Sequence, residues 1–341
     1  MRRLTIVLLF AAGVVALLPW RRFVWIGLPK PTTGIFANRM TYAHWGSGDK
    51  TLLLIPGGPG NAPVEGIPLW MMLRTLRPFV DRGYSVWCVN RKQGMPEGHS
   101  IADMADDHAE LIEAEFDGRV DVVLGVSYGG LVGFQLAARH PECVGRMALG
   151  MAAYEVSERG KRIDYEFAEK LSQGDPIEAA RWMFETFYPS VRVPGAARLF
   201  GEVMGRFAFG GSHPSLSSDA MVEVEAEVAF DGRAILPEIA VPLLLIGGSD
   251  DIVFEKATVE ETARRSLVVE QRPARVRAPV ALHLGPDTEA VVPIVVHGVE
   301  VAAAARALVA VVVGEAPGVG VAVLDFEGVA CCAAHRVAGH H

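Results

Sequence analysis

Three scarcities narrow this sequence before any motif is read. Cysteine is scarce: Cys88, Cys143, Cys331 and Cys332 are the four in 341 residues. No Cys-x-x-Cys pair occurs, and no Cys/His spacing suits zinc, so the sequence implies neither a disulfide framework nor a metal site. Clustered positive charge is missing beyond the first turns of the chain. Lys and Arg total 32 against 40 Asp and Glu, a formal net charge of −8. A nucleic-acid-binding face needs grouped Lys and Arg, so no nucleic-acid partner is expected. Finally, Lys, Tyr, Trp, Met and Asn are all absent after Lys256, where Val, Ala, Arg, Gly, Pro, Glu and His dominate. Ala302 to Val313 is almost purely Ala and Val. Such an alphabet fits a GC-rich gene read in a shifted frame, or a low-complexity tail.

The N-terminus is apolar. Arg2 and Arg3 precede a run from Leu4 to Trp20, and Arg21 and Arg22 follow it. The run sits at the ~17-residue lower limit for a membrane-spanning helix. Trp20 and Trp25 suit a membrane interface. No Ala-x-Ala-like cleavage site lies between Leu18 and Lys30. Residues 1–30 are therefore expected to anchor the protein in a membrane, with secretion after signal cleavage as the alternative. Arginines on both flanks leave the orientation open.

Beyond a linker at Lys30 to Gly34, short continuous apolar runs alternate with helical spacings. Strands are expected at Met40–Trp45, Thr51–Ile55, Tyr84–Val89, Val120–Leu124, Met147–Met151 and Val241–Ile246. Helices are expected at Leu69–Arg82, Ile101–Phe116 and Leu131–Arg139. Strands alternating with helices imply an α/β fold, a mostly parallel sheet with helices on both faces. Between about Glu155 and Pro237 this rhythm gives way to helical stretches such as Ile177–Phe187 and Val222–Val228. The predicted organisation is an anchor over 1–30, a core over 31–154 and 238–300, a helical cap over 155–237, and an Ala/Val-rich tail over 301–341.

The chemistry concentrates at Gly125-Val126-Ser127-Tyr128-Gly129-Gly130, placed between a buried strand and a helix. That is Gly-x-Ser-x-Gly in its required strand–turn–helix setting, which pushes the Ser127 hydroxyl out of the sheet as a nucleophile. The backbone N–H of Tyr128, at the helix start, can face a developing oxyanion. Pro56-Gly57-Gly58-Pro59-Gly60-Asn61 ends an earlier strand, and the Gly58 N–H is the expected second oxyanion donor.

With these residues the chain resembles the α/β-hydrolase superfamily, on Trp45-Gly46-Ser47-Gly48, the strand and loop from Leu52 to Gly60, the Ser127 turn, and Leu244, Ile246, Gly248 and Asp251. The similarity covers about Ala37 to Glu261. It implies an α/β-hydrolase fold with a helical cap and a catalytic acid at Asp251, with Asp250 as the alternate. It also implies a histidine beyond a last strand, for which His283 falls in the expected window and His297 lies further on. Neither has the family's Gly-His setting. Two departures stand out: Pro56-Gly57 replaces the usual His-Gly, and the loop resembles that of proline iminopeptidases without their Asp-x-Arg-Gly, which is here Asn90-Arg91-Lys92-Gln93-Gly94.

The expected activity is cleavage of a carboxylic ester or related acyl substrate, a small and apolar molecule, through an acyl-enzyme on Ser127. No cofactor or metal is required. Two alternatives are kept. An aminopeptidase of the proline iminopeptidase kind would use an acidic cap residue, among Glu223, Glu225, Glu227 and Asp231, to bind a free amino terminus. A non-catalytic hydrolase-fold protein would lack the histidine. His99 and His108 are read as surface or loop-packing residues, and His140 as a cation favoured at a helix C-terminus.

Overall fold

The computed structural model describes residues 30–187 and 214–266, except 59, 62, 64–65 and 249–250. It also describes a few positions between 195 and 205 and the strands within 281–291 and 321–324. The expected anchor and His297 lie outside the described residues. No described helix is long and apolar enough to cross a membrane.

The main sheet begins with β1 (Thr32–Ile35), β2 (Met40–Trp45), β3 (Lys50–Ile55) and β4 (Tyr84–Lys92). It continues with β5 (Val120–Val126), β6 (Val144–Gly150), β7 (Leu243–Gly248) and β10 (Val321–Leu324). Their spatial order is β1-β2-β4-β3-β5-β6-β7-β10. The pairs β1/β2 and β2/β4 are antiparallel, and every pair from β4/β3 onward is parallel. One expectation is corrected. Thr32 to Gly34, read as linker, is the antiparallel edge strand β1. The Ala/Val-rich tail supplies β10, which runs parallel to β7.

The continuous apolar runs follow from burial on both faces. In β3, Leu53 and Ile55 enter one core cluster while Leu52 and Leu54 enter the other. The same alternation divides Val123 from Val122 and Leu124 in β5, and Leu243 and Leu245 from Leu244 and Ile246 in β7. Period-two side chains on a sheet covered twice put apolar residues on both faces of these central runs. Helix α1 (Gly66–Val80) covers the second cluster through Leu69, Leu73, Leu76 and Phe79. Helices α2 (Ile101–Glu115) and α3 (Tyr128–Arg139) cover the first, through residues such as Ile112 and Phe134. Helix α2 starts on a capping box: Asp103 N–H donates to Ser100 Oγ, and Ser100 N–H donates to Asp103 Oδ2 at 2.8 Å.

Between β6 and β7 come α4 (Glu158–Ser172), α5 (Pro176–Phe187) and α6 (Pro214–Ala229). They share a small core of Phe167, Ala168, Leu171, Ala179, Ala220 and Val224, against which Trp182 and Met183 pack. After β7, helix α7 (Lys256–Arg265) returns to the sheet through Val259 and Ala263.

Candidate active site

Ser127 sits where β5 stops and α3 starts, with φ 52° and ψ −120°. This backbone region is sparsely populated by non-glycine residues and costs about 1–3 kcal/mol, so the surroundings must impose it. The Ser127 N–H donates to Gly150 O at the end of β6 (2.8 Å), and Gly130 N–H donates back to Ser127 O (2.7 Å). Helix α3 presses on the end of β3. A Cβ on Gly129 would lie 2.1 Å from Ile55 O and 2.8 Å from Pro56 O. The glycine two places after the serine is therefore a requirement of backbone contact.

The loop after β3 packs directly on the serine. A Cβ on Gly57 would lie 2.8 Å from Val126 O and 2.9 Å from Ser127 Cβ. Gly58 has φ +76°, the left-handed region that suits glycine. One buried side chain grips this loop. Arg91 donates from Nη1 to Pro56 O (2.7 Å), and from Nη2 to Gly58 O (2.6 Å) and Gly60 O (3.0 Å). Its Nε donates to Glu223 Oε1 on α6 (2.8 Å), while Glu223 Oε2 accepts from Gly60 N–H. Both side chains of the Arg91–Glu223 pair are 0% exposed. Removing one partner of such a buried pair costs about 3–5 kcal/mol, because the other charge is left uncompensated.

One turn earlier on α6, Asp219 accepts from Gly94 N–H and Met95 N–H, and from Asn61 Nδ2 at 2.7 Å. Asn61 also donates to Lys92 O at 2.6 Å. Tyr128 is buried, and its hydroxyl donates to Glu223 O at 2.9 Å. The Arg91 guanidinium lies 4.8 Å from the Tyr128 ring centroid. The residue after the serine, the loop facing it and the cap helix thus form one polar unit.

Asp251 follows β7. Strands β5, β6 and β7 are parallel neighbours, so Ser127 and Asp251 leave the same, carboxyl, edge of the sheet with β6 between them. Asp251 Oδ1 accepts from Val253 N–H and Phe254 N–H, both at 2.9 Å. Its Oδ2 takes no hydrogen bond among the described residues. Burial raises the Asp251 pKa, against the pull of those two backbone donors. Asp250 lies outside the described residues. His283 ends β8 (Ala281–His283), which pairs with β9 (Glu289–Val291) in a ladder separate from the main sheet. Its side chain lies outside the described residues, so of the expected triad only Ser127 and Asp251 are placed, both at the carboxyl edge of the sheet. No three His, Cys, Asp or Glu side chains among the described residues are grouped to hold a metal ion.

The sequence profile of the alpha/beta hydrolase family matches residues 52–288. The chain belongs to that family. Among curated relatives, a RutD protein of Yersinia enterocolitica, named as a candidate carbamate hydrolase, is 28% identical over 176 residues. That match covers 50% of this chain and 60% of the relative. The pimeloyl-[acyl-carrier protein] methyl ester esterase of Neisseria meningitidis serogroup A is 28% identical over 166 residues, 46% of this chain and 50% of the relative. The chain thus spans between half and three-fifths of the length of these relatives. An enol-lactonase structure from Burkholderia xenovorans superimposes with a TM-score of 0.54 at 21% identity, over 69% of this chain and 88% of that one. At that identity the likeness is one of fold.

In this alpha/beta hydrolase, the burial of several charged residues was not legible. Glu223 and Glu227, candidates for holding a free amino terminus, are 0% and 1% exposed. His108, read as a surface or loop residue, is also fully buried. Its Nδ1 bonds Met104 O at 2.7 Å, and burial lowers its pKa to about 4. His99 pairs with Asp107 at 2.9 Å, and His140 with Asp106 at 2.7 Å.

Glu227 is hydrogen-bonded to Asp164 of α4, and burial drives both pKa values up, that of Asp164 to about 7. The negative charge of Asp251 pushes Asp164 further, and Glu223 pushes Glu227 while Arg91 opposes it. A carboxyl whose folded pKa exceeds its unfolded value of about 4 holds an extra proton in the native state. The pair's contribution to stability is then full below about pH 4 and falls as pH rises through 7, while His108, with its lowered pKa, contributes in the opposite sense below about pH 6.5. The expected result is a melting temperature that drops between pH 6.5 and pH 8, clear of the His108 titration, with a shallower drop for Asp164→Asn, measured by thermal melts across that range. Equal slopes would contradict a shared proton at this pair.

Proposed function

We propose that the protein is a serine hydrolase that cleaves a carboxylic ester or related acyl substrate through an acyl-enzyme on Ser127. The observation that carries this is the forced backbone of Ser127 with the bare Gly57 packed against its Cβ. Ser127 Oγ attacks the acyl carbonyl as a histidine takes its proton, and His283 is assigned that role. Asp251, with Oδ1 held by two N–H groups, orients the histidine and offsets its charge. The N–H groups of Gly58 and Tyr128 receive the oxyanion. The leaving alcohol takes the proton back, and water then releases the acyl group by the reverse sequence. No cofactor or metal enters these steps.

Ester cleavage is favoured over aminopeptidase action by the state of the cap acids. Both carboxylate oxygens of Glu223 are engaged, by Arg91 Nε and Gly60 N–H, and Glu227 is bonded to Asp164. Glu223 is therefore not free to hold a substrate ammonium, and Glu227, whose Oε2 is buried without a partner, has its pKa raised by burial, which disfavours the charged form that an ammonium would need. The relatives' names, a methyl ester esterase and a candidate carbamate hydrolase, both describe cleavage at a carbonyl carrying an oxygen leaving group or its carbamate analogue. Partly buried Trp182 and Met183 leave the cap able to line an apolar acyl pocket. The apolar run from Leu4 to Trp20 is proposed to anchor the enzyme in a membrane, beside an apolar substrate supply.

Purified protein is expected to hydrolyse p-nitrophenyl butyrate with kcat/KM at least about 100-fold above that for L-prolyl p-nitroanilide. An apolar pocket discriminates by about 100-fold against even a single added hydroxyl, so a substrate with a charged amine should lose at least that much. Preference for the anilide would reverse the assignment.

A further inference from the structure

We propose that Arg91 and Glu223 are positioning residues that hold the oxyanion loop in register with Ser127, so that the cap helix α6 sets the rate of acyl transfer. The inference rests on the serine-hydrolase reading above and adds residues to it. A peptide unit is planar. The Gly58 N–H belongs to the unit joining Gly57 to Gly58, which carries no side chain to lock it. The units on either side are locked instead. Arg91 binds Pro56 O, in the unit before, and Gly58 O, in the unit after. It binds Gly60 O as well, and Glu223 takes Gly60 N–H, which pins the far end of the loop to α6.

The guanidinium itself is fixed by Glu223 Oε1 and lies over the Tyr128 ring, whose backbone N–H is the other proposed oxyanion donor. One planar fork therefore spans both donors, and neither Arg91 nor Glu223 is required to touch the substrate. A lysine could not replace it, because a single ammonium cannot address three carbonyls spread along five residues.

A structural role alone predicts loss of fold, so the test separates rate from folding. Replacing both charges with apolar residues of similar volume avoids leaving one buried and unpaired, and such exchanges are often tolerated. The double variant Arg91→Met/Glu223→Leu is made with Arg91→Lys and Glu223→Gln. All are assayed on p-nitrophenyl butyrate beside thermal melts, and for the rate at which a fluorophosphonate modifies Ser127.

The expected result for the double variant is a cooperative melt near that of the wild type and a kcat lower by about 100-fold. Removal of one oxyanion donor has an effect of that size. KM stays within about 3-fold, the pH–rate profile keeps its midpoints, and Ser127 phosphonylation slows in parallel with kcat. Arg91→Lys, which keeps a charge opposite Glu223, loses less kcat than the double variant, and Glu223→Gln, which keeps one acceptor but leaves the Arg91 charge uncompensated, loses melting temperature as well as kcat. A folded double variant with kcat within about 3-fold of wild type overturns the proposal, as does a loss confined to KM. In both cases Ser127-dependent labelling of the wild type keeps the serine assignment standing. A wild type that shows no Ser127-dependent labelling or turnover removes both.

Discussion

Ser127→Ala is expected to lower kcat on p-nitrophenyl butyrate by at least about 10⁴-fold while the protein still folds. Loss of a nucleophilic serine in enzymes of this chemistry costs up to about 10⁶ in kcat. What remains is the binding and oxyanion stabilisation that the site offers to a water attack. The fold should survive for a local reason. Alanine carries the same Cβ that already lies against Gly57, and the two hydrogen bonds that hold the turn run through the Ser127 backbone, not its hydroxyl. The melting temperature should stay within about 2 °C, since a half-buried hydroxyl in a strained turn contributes little. Retained activity would place the nucleophile elsewhere. Loss of fold together with activity would contradict the backbone account of the turn.

Gly129→Ala is the second large effect, and it acts through packing. The new Cβ meets Ile55 O at 2.1 Å and Pro56 O at 2.8 Å. Neither is the end of a flexible side chain, and Ile55 lies at 0% exposure in the middle of the parallel sheet. Overpacking against movable side chains costs about 1–3 kcal/mol. Against a central strand the cost should reach the upper end, about 3 kcal/mol, which lowers the melting temperature by roughly 6–12 °C in a domain of this size.

Activity should fall further than stability. Relief of the clash moves Pro56, whose carbonyl Arg91 holds, and so shifts the loop that carries Gly58. A displacement near 1 Å can cost about 100-fold in rate. Paired melts and kinetics on Gly129→Ala check both parts. Wild-type values would show that α3 does not abut the end of β3.

The fold was legible wherever a residue's role is set by its neighbours in sequence. The runs Leu52–Ile55 in β3, Val122–Leu124 in β5 and Leu243–Ile246 in β7 are apolar because both sheet faces are covered there, and that is visible in the letters. The turn at Ser127 was legible for a related reason. A strand-to-helix turn this tight demands glycine at Gly125 and Gly129, and the demand is written in five consecutive residues. Strand β1 was missed because Thr-Thr-Gly-Ile at a mostly exposed antiparallel edge carries no burial pattern.

Arg91 and the acids of α6 were missed for a deeper reason. Asp219, Glu223 and Glu227 recur every fourth residue, as they would on a solvated helix face. Only the arrival of Arg91, Asn61 and the loop after β4 from distant parts of the chain turns that face inward. The one local hint was a spacing shared with many exposed helices. A catalytic histidine was not legible because neither His283 nor His297 has a Gly-His setting, and Val/Ala monotony erases the strand signal that would locate it.

The central claim, an activated Ser127, is tested most directly by exposing the folded protein to a fluorophosphonate and locating the modification by peptide mass. A serine hydroxyl reacts readily only where a nearby base accepts its proton and donors hold the oxygen that develops charge. The account predicts stoichiometric modification of the peptide bearing Ser127, and none in Ser127→Ala. Folded protein that stays unmodified at Ser127 would contradict it.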